Sequence, residues 1–93
     1  AHEQAYRLAS RLSAVVPGQL PRVFFSDSGS VAVEDAMKMA LQYWRNRDQP
    51  NKNKFICFRH GYHGDTLGAM SVSDPEDPLH KAFRSMFLMH YVL

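Results

Sequence analysis

Two short stretches of the sequence carry residue types that could bind a ligand. The first, residues 26–31, reads Ser-Asp-Ser-Gly-Ser-Val and lies between an apolar run and a long helical pattern. A strand that turns into a helix there would aim free N–H groups and a positive helix dipole at the space above it, which predicts an anion site with phosphate as the usual occupant. Gly29 lets the backbone approach a ligand closely, and Ser30 either donates its hydroxyl or caps the helix. Glu34 lies one residue too far from Ser30 for a capping box, so it is either a solvated acid or a partner in the site.

The second stretch is the loop at residues 59–66, which contains two glycines and follows an apolar run at residues 54–58. Tyr62, His63 and Asp65 place an aromatic face, a titratable ring and a carboxylate within four residues. Ligands gather at the carboxyl ends of the strands in open α/β sheets. This loop is therefore a candidate wall of a binding pocket.

Other chemistries at these stretches have weaker support. The two histidines of the loop have no accompanying cluster of ligands, so no metal site is expected. A hydrolase built from Ser28 or Ser30 with His63 and Asp65 lacks the Gly-x-Ser-x-Gly elbow. A general phosphate- or nucleotide-binding module is disfavoured because the glycine of the first stretch stands alone, outside the known glycine-rich patterns.

Hydrophobic periodicity predicts the elements that position the two stretches. The predicted elements are helices at about 2–16, 30–47, 66–71 and 79–87 and strands at 23–26 and 54–58. Both strands are continuously apolar, which is typical of strands buried on both faces of a parallel sheet. The order of elements indicates an α/β fold with a mostly parallel sheet flanked by helices.

Composition and charge narrow the class of protein. With 93 residues, 45% hydrophobic and 22% charged, the chain has an ordinary globular composition and the length of one small domain. The net charge is only +2 and the basic residues are scattered, so neither a nucleic-acid nor a membrane partner is expected. No apolar segment approaches the roughly 18 residues of a membrane span, and a cytoplasmic location is expected. The single cysteine, Cys57, is expected to be a buried thiol.

Taken together, the two stretches resemble the class III pyridoxal-phosphate-dependent aminotransferases. The resemblance runs from Asp27 to Trp44 and again from Gly61 to Val72, and it covers about residues 1–85. It lapses over residues 86–93. The resemblance implies part of the large domain of a fold-type I transferase, pyridoxal 5'-phosphate as the cofactor, and a homodimeric enzyme.

One variation within the family motif implies particular substrates. Most class III members have Thr-Glu where this chain has Ser30-Val31. The Ser-Val pair is similar to the members that act in biotin biosynthesis. This implies S-adenosylmethionine as the amino donor and 8-amino-7-oxononanoate as the acceptor.

The resemblance also implies roles for individual residues. Gly29 and Ser30 match the positions that hold the cofactor phosphate. Tyr62 matches the tyrosine that lies against the pyridine ring and lines the substrate pocket, and Asp65 matches a pocket residue that orients the substrate. Glu34 and His63 also match family positions, and both are expected to support the residues that contact the ligand.

The family's catalytic centre is expected outside these residues. Its Schiff-base lysine, the carboxylate on the pyridine nitrogen and the arginine for the substrate carboxylate are all expected downstream. Residues 1–93 are therefore interpreted as a fragment of the large domain that is inactive alone, with a phosphate-binding turn at 26–31 and a pocket loop at 59–66. Two alternatives stay open: another class III aminotransferase, with an amine or omega-amino acid donor, and a non-catalytic truncated remnant.

Overall fold

The computed structural model describes residues 2–88 and 90–93 and contains four helices and two short strands in this part of the chain. In chain order the elements are α1 (Glu3–Val15), α2 (Gly29–Asn46), β1 (Ile56–Cys57), α3 (Leu67–Ser71), α4 (Pro78–Lys81), a 3₁₀ turn (Arg84–Met86) and β2 (Tyr91–Val92). The strands pair in parallel, in agreement with the expected α/β class. No helix of the described ranges is long and apolar enough to cross a membrane.

The two long helices match the predicted ones to within about a residue at each end. At the start of α1, the His2 ring accepts a hydrogen bond from the backbone of Ala5 at 3.3 Å. Gly18, with φ at +83°, follows the end of α1 as the Pro-Gly signal predicted. At the start of α2, the Ser28 hydroxyl accepts from the Val31 N–H at 3.2 Å. The cap of α2 is therefore Ser28, and the alternative that Ser30 caps this helix is wrong.

The predicted strand at residues 23–26 is wrong. This segment is irregular, and the side chains of Phe24 and Phe25 are 67% and 48% exposed. An apolar run becomes a strand only when a neighbouring strand accepts its hydrogen bonds, and the described part of the chain offers it none.

The predicted strand at residues 54–58 is present but shorter, as β1. It pairs with β2 in the register Ile56 with Tyr91 and Cys57 with Val92. Burial on both faces is wrong, because Cys57 is only 3% exposed while Ile56 is 61% exposed. The expectation of a buried thiol is confirmed, and burial raises the pKa of Cys57.

The buried residues lie close to the loop that follows β1. The apolar ones are Cys57, Ala69, Met70 and Val72, and the polar ones are Ser73, Asp74 and His80. The short helix predicted at residues 66–71 is confirmed as α3. The helix predicted at residues 79–87 is divided into α4 and the 3₁₀ turn. Asp77 starts α4 by accepting a hydrogen bond from the Leu79 N–H at 2.9 Å.

Candidate functional site

The first turn of α2 presents unused hydrogen-bond donors. The Ser28 hydroxyl takes up the N–H of Val31. The N–H groups of Gly29 and Ser30 meet no acceptor among the residues that the structure describes. A side chain added at Gly29 would meet nothing within 4 Å, so the space beside this turn is open. Two free donors at the positive end of an 18-residue helix suit an anion.

One hydrogen bond joins the two stretches that the sequence singled out. The backbone N–H of Asp65 donates to the Ser30 hydroxyl at 2.8 Å, across 35 residues of sequence. Ser30 acts as the acceptor in this bond, so its own proton is still available for donation to a ligand. The contact places the pocket loop directly beside the first turn of α2.

Gly64 makes this close approach possible. Its φ is +123°, which side chains rarely adopt, and a Cβ on it would lie 2.6 Å from the Cβ and 2.9 Å from the Cα of Ser30. Any larger residue would therefore push the loop away from α2. The glycine is a geometric requirement of the Ser30–Asp65 contact.

Glu34 is engaged with α3 and is not a solvated acid. Its carboxylate accepts the backbone N–H of Gly68 at 2.7 Å, and a Cβ on Gly68 would lie 2.7 Å from the carboxylate carbon. The Thr66 hydroxyl, followed by the N–H groups of Gly68 and Ala69, lowers the pKa of Glu34. The Thr66 hydroxyl has this effect although it makes no hydrogen bond of standard geometry with the described residues. Glu34 thus holds α3 against α2.

Tyr62 and Asp65 form a hydrogen-bonded pair at the open side of the loop. The Tyr62 hydroxyl donates to Asp65 Oδ1 at 2.6 Å, and this bond raises the pKa of the phenol. The Tyr62 side chain is 59% exposed. Since the backbone of Asp65 is bonded to Ser30, the phenol is connected to the first turn of α2 through one intervening residue.

His63 enters the site through its backbone. Its N–H donates to the Ser73 hydroxyl at 3.1 Å, and Ser73 in turn donates to the Ala69 carbonyl at 2.8 Å. The His63 residue is exposed, and its ring makes no hydrogen bond within the described ranges. Neither Ser28 nor Ser30 is hydrogen-bonded to it, so the geometry gives a hydrolase no support.

The lysines with defined contacts are engaged elsewhere. Lys38 lies 3.0 Å from Asp35, Lys52 lies 3.7 Å from the ring centre of Trp44, and Lys81 lies 3.8 Å from Glu76. Across residues 2–88 and 90–93, no three acidic, histidine or cysteine side chains converge as metal ligands would.

Three buried polar residues behind the loop were missed by the sequence analysis: Ser73, Asp74 and His80. The Asp74 carboxylate accepts from the N–H groups of His60 at 2.6 Å and Glu76 at 2.9 Å, which lowers its pKa. Its carbonyl oxygen lies 2.7 Å from Nδ1 of His80. The run of polar residues and prolines at 73–78 predicts only a polar loop. The available signal was the aspartate directly before a proline, where a carboxylate often bonds the following backbone.

Comparison with known proteins identifies the family. The sequence profile of the class-III aminotransferases matches residues 1–93. The chain belongs to this family. Class III aminotransferases are pyridoxal-phosphate enzymes, so the cofactor expected from the sequence is confirmed at the level of the family.

Curated members of the family are similar to the chain over most of its length. The adenosylmethionine-8-amino-7-oxononanoate aminotransferase of Mycobacterium leprae is 57% identical over 79 residues, which are 85% of this chain and 18% of that protein. The enzyme of the same name from Synechococcus elongatus is 59% identical over 73 residues, 78% of this chain and 17% of that protein. The chain thus spans about a fifth of the length of the curated relatives it matches.

Solved structures of the family have the same fold over this segment. The adenosylmethionine-8-amino-7-oxononanoate aminotransferase of Methanocaldococcus jannaschii superposes with a TM-score of 0.92 at 40% identity, over 99% of this chain and 21% of that one. An amine transaminase from an uncultivated Pseudomonas species, in its PLP-bound form, superposes with a TM-score of 0.86 at 36% identity, over 100% of this chain and 21% of that one. The predicted class, part of a fold-type I transferase, is therefore confirmed.

Proposed function

We propose that residues 26–31 form the phosphate-binding turn of a pyridoxal-phosphate-dependent aminotransferase and that residues 59–66 form one wall of its pocket. The observation that carries the proposal is the hydrogen bond from Asp65 to Ser30, which brings the free donors of α2 beside Tyr62. The donor set suits the cofactor phosphate: two backbone N–H groups and one hydroxyl proton at the positive end of a helix.

When bound, the cofactor supplies an electron sink for breaking a bond at the carbon that carries the amino group. Gly29 and Ser30 would donate to its phosphate. Tyr62 would offer a flat face to its ring, with the phenol fixed by its hydrogen bond to Asp65. That bond uses one carboxylate oxygen of Asp65, so the other can accept from the amino group of a substrate. Glu34 and the backbone of His63 hold the loop and α3 in place behind these residues.

For the complete protein, we infer transfer of the amino group of S-adenosylmethionine to 8-amino-7-oxononanoate. The product is 7,8-diaminononanoate, and the reaction belongs to biotin biosynthesis. Support comes from the relatives of that name at 57% and 59% identity and from the Ser30-Val31 pair. A cytoplasmic homodimer is part of the same proposal. Residues 1–93 alone are expected to be inactive, because the four lysines fall where the family has no Schiff-base lysine.

A second candidate is an amine transaminase. The amine transaminase from the Pseudomonas species, at 36% identity and a TM-score of 0.86, favours it. The two candidates share the phosphate turn and differ in the donor. Incubation of the complete gene product with 8-amino-7-oxononanoate and either S-adenosylmethionine or a simple primary amine separates them. Mass spectrometry detects the product, 7,8-diaminononanoate. If the product forms with S-adenosylmethionine and not with the amine, the first candidate is supported. If it forms with the amine and not with S-adenosylmethionine, the second is supported.

The phosphate turn is tested by cofactor affinity. In the complete gene product, Ser30→Ala removes a donor to a charged ligand and is expected to raise the dissociation constant for pyridoxal phosphate roughly tenfold. Ser30→Thr keeps the hydroxyl and should stay close to wild type. The matched control is Ser13→Ala, because the Ser13 hydroxyl is bonded only to Ser10 on the exposed side of α1.

Fluorescence titration with pyridoxal phosphate measures these dissociation constants. Equal affinities for Ser30→Ala and wild type would refute the role of Ser30 in the phosphate turn. A complete gene product that binds no pyridoxal phosphate would refute the function itself and favour the non-catalytic remnant.

A further inference from the structure

The ring of His80 is buried beneath the ring of Tyr62. His80 is 1% exposed, the two ring centres lie 6.0 Å apart, and the ring planes differ by 18°. This is a stacked arrangement within the range that aromatic pairs prefer. His80 lies outside both stretches that the sequence analysis singled out, and no role was expected for it.

Hydrogen bonding fixes the orientation of the His80 ring. Nδ1 lies 2.7 Å from the carbonyl oxygen of Asp74. A carbonyl oxygen can only accept, so Nδ1 carries the proton. The buried Nε2 has no hydrogen-bond partner within the described residues. His80 meets Tyr62 through the flat face of its ring.

The backbone on either side of Tyr62 is anchored to the same buried cluster. The carbonyl of Gly61 accepts from the N–H of Asp74 at 2.8 Å. The N–H of His63 donates to the hydroxyl of Ser73 at 3.1 Å. Tyr62 is thus held through its two neighbours in the chain, through its hydroxyl and through one face of its ring. Tyr62 is still 59% exposed, so much of its surface is accessible to a ligand.

We propose that His80 is a positioning residue, which holds the Tyr62 ring at the angle that a flat cofactor on its opposite face requires. The inference rests on the proposed function, because it assumes that Tyr62 contacts the cofactor ring. The proposal gives the buried polar residues behind the loop (Ser73, Asp74 and His80) a role in cofactor binding in addition to their role in stability.

A double-mutant cycle in the complete gene product tests this role. His80→Asn keeps an N–H donor but removes the flat ring, and Tyr62→Ala removes the stacking partner. We expect His80→Asn to raise the dissociation constant for pyridoxal phosphate about threefold to tenfold in the wild-type background, as the loss of one aromatic pair predicts. In the Tyr62→Ala background, we expect no further change.

The control variant distinguishes the effect of the flat ring from the effect of the hydrogen bond that the ring makes. His80→Phe keeps a flat face under Tyr62 but removes the 2.7 Å hydrogen bond to the Asp74 carbonyl, which then keeps only the longer bond from the Asp77 N–H at 3.4 Å. Its melting temperature should fall while its cofactor affinity stays within about twofold of wild type. If the asparagine variant does not fold, the phenylalanine variant alone decides, and a tenfold loss of affinity in it would overturn the proposal.

The outcomes distinguish the inference from the function on which it rests. If His80→Asn weakens binding equally in both backgrounds, its effect is structural and the inference fails while the function stands. If Tyr62→Ala leaves the affinity unchanged, the inference also fails, and the Ser30 variants still decide the phosphate turn. If the wild-type protein binds no pyridoxal phosphate, the function and the inference fail together.

Discussion

Two regions of the chain are stabilised in different ways. The site segment, residues 57–80, contains every residue that is buried in the described ranges. The N-terminal arm, residues 3–26, contains none, and its side chains Val15 and Phe24 are 75% and 67% exposed. The site segment is tied together by polar hydrogen bonds, many of them to backbone groups. The arm consists of a helix and an irregular run whose apolar side chains have little to pack against.

The comparison shows that hydrogen bonds between residues of this chain hold the site together, and we expect the arm to depend on contacts outside it. Asp74, Ser30 and Glu34 each bond a backbone group of another turn or element, so the loop keeps its shape through directional contacts. The hydrophobic effect is non-directional, and it stabilises a segment in proportion to the apolar surface that is buried. The relatives are about five times longer, at 17% to 21% coverage, and we expect their additional chain to cover the equivalent of the arm.

The test with the largest expected effect studies residues 1–93 as an isolated polypeptide, without the contacts that the rest of the complete gene product would make. We expect the 93-residue polypeptide alone to lack a cooperative thermal transition, because among residues 2–88 and 90–93 only four hydrophobic side chains are buried whereas twenty large ones are exposed. Circular dichroism melting with light scattering measures this, and the complete gene product in the same buffer is the control. A sharp transition of a monomer would show that the arm needs no further partner.

The next test compares one glycine from each region. Gly64 and Gly18 both have positive φ, at +123° and +83°. Alanine at Gly64 would also collide with Ser30, so we expect a loss of more than about 3 kcal/mol and greatly weakened cofactor binding. Alanine at Gly18 meets open space and should cost only about 1–2 kcal/mol of backbone strain.

Urea unfolding of both glycine variants of the complete gene product provides the free energies of unfolding. The difference between the two losses reports the packing of the loop against α2, because the backbone conformation is left-handed at both sites. Equal losses would mean that the loop can shift away from Ser30 without cost, and that its position is less fixed than the structure indicates.

A third test compares two glutamates. Glu34→Ala leaves the Gly68 N–H without its acceptor, so we expect a loss of about 1–3 kcal/mol in the free energy of unfolding. Glu3→Ala removes only an exposed pair with Arg7, whose side chains are 72% and 75% exposed. That loss should stay below about 0.5 kcal/mol. Similar values from chemical denaturation would remove the distinction between a carboxylate on α2 that holds the site segment and a surface one in the arm.

Much of this fold could be predicted from sequence where the signal is local. The bounds of α1 and α2 followed from hydrophobic periodicity and from a Pro-Gly stop signal, because a helix satisfies its own hydrogen bonds. The strand predicted at 23–26 was wrong because a strand needs a partner whose position the sequence does not reveal. The short β1 was found, but its length and one-sided burial depend on pairing with β2.

The candidate site was predictable only in part. The resemblance placed Ser30 and Asp65 in one site, and the structure brings them into contact, although their roles toward a cofactor stay predictions. Asp74 and His80 were missed because polar residues in a proline-containing run usually face solvent. The aspartate before a proline indicates a bond to the following backbone, but the burial of both residues comes from the folding of the chain around them, which that local signal does not encode.

The smallest expected effect is an acid dependence confined to the site segment. Backbone N–H groups of His60 and Glu76 lower the pKa of Asp74 from its ordinary value of 3.8. A carboxyl with a lowered pKa stabilises the folded state fully above its unfolded value and loses that contribution as the pH falls through its folded value. We therefore expect the melting temperatures of wild type and Asp74→Asn, in the complete gene product, to differ at pH 6 and to converge only as the pH falls below 3.8, through the lowered pKa of Asp74.

Gly18→Ala is the control for this pH series, because its destabilisation involves no titrating group. Its difference from wild type should stay constant over the same range. If the melting temperatures of wild type and Asp74→Asn also differ by a constant amount, the charge of the aspartate makes no contribution. The aspartate would then act through its shape alone. Convergence would show that its charge holds the His60 and Glu76 backbone, and through it the loop that carries Tyr62.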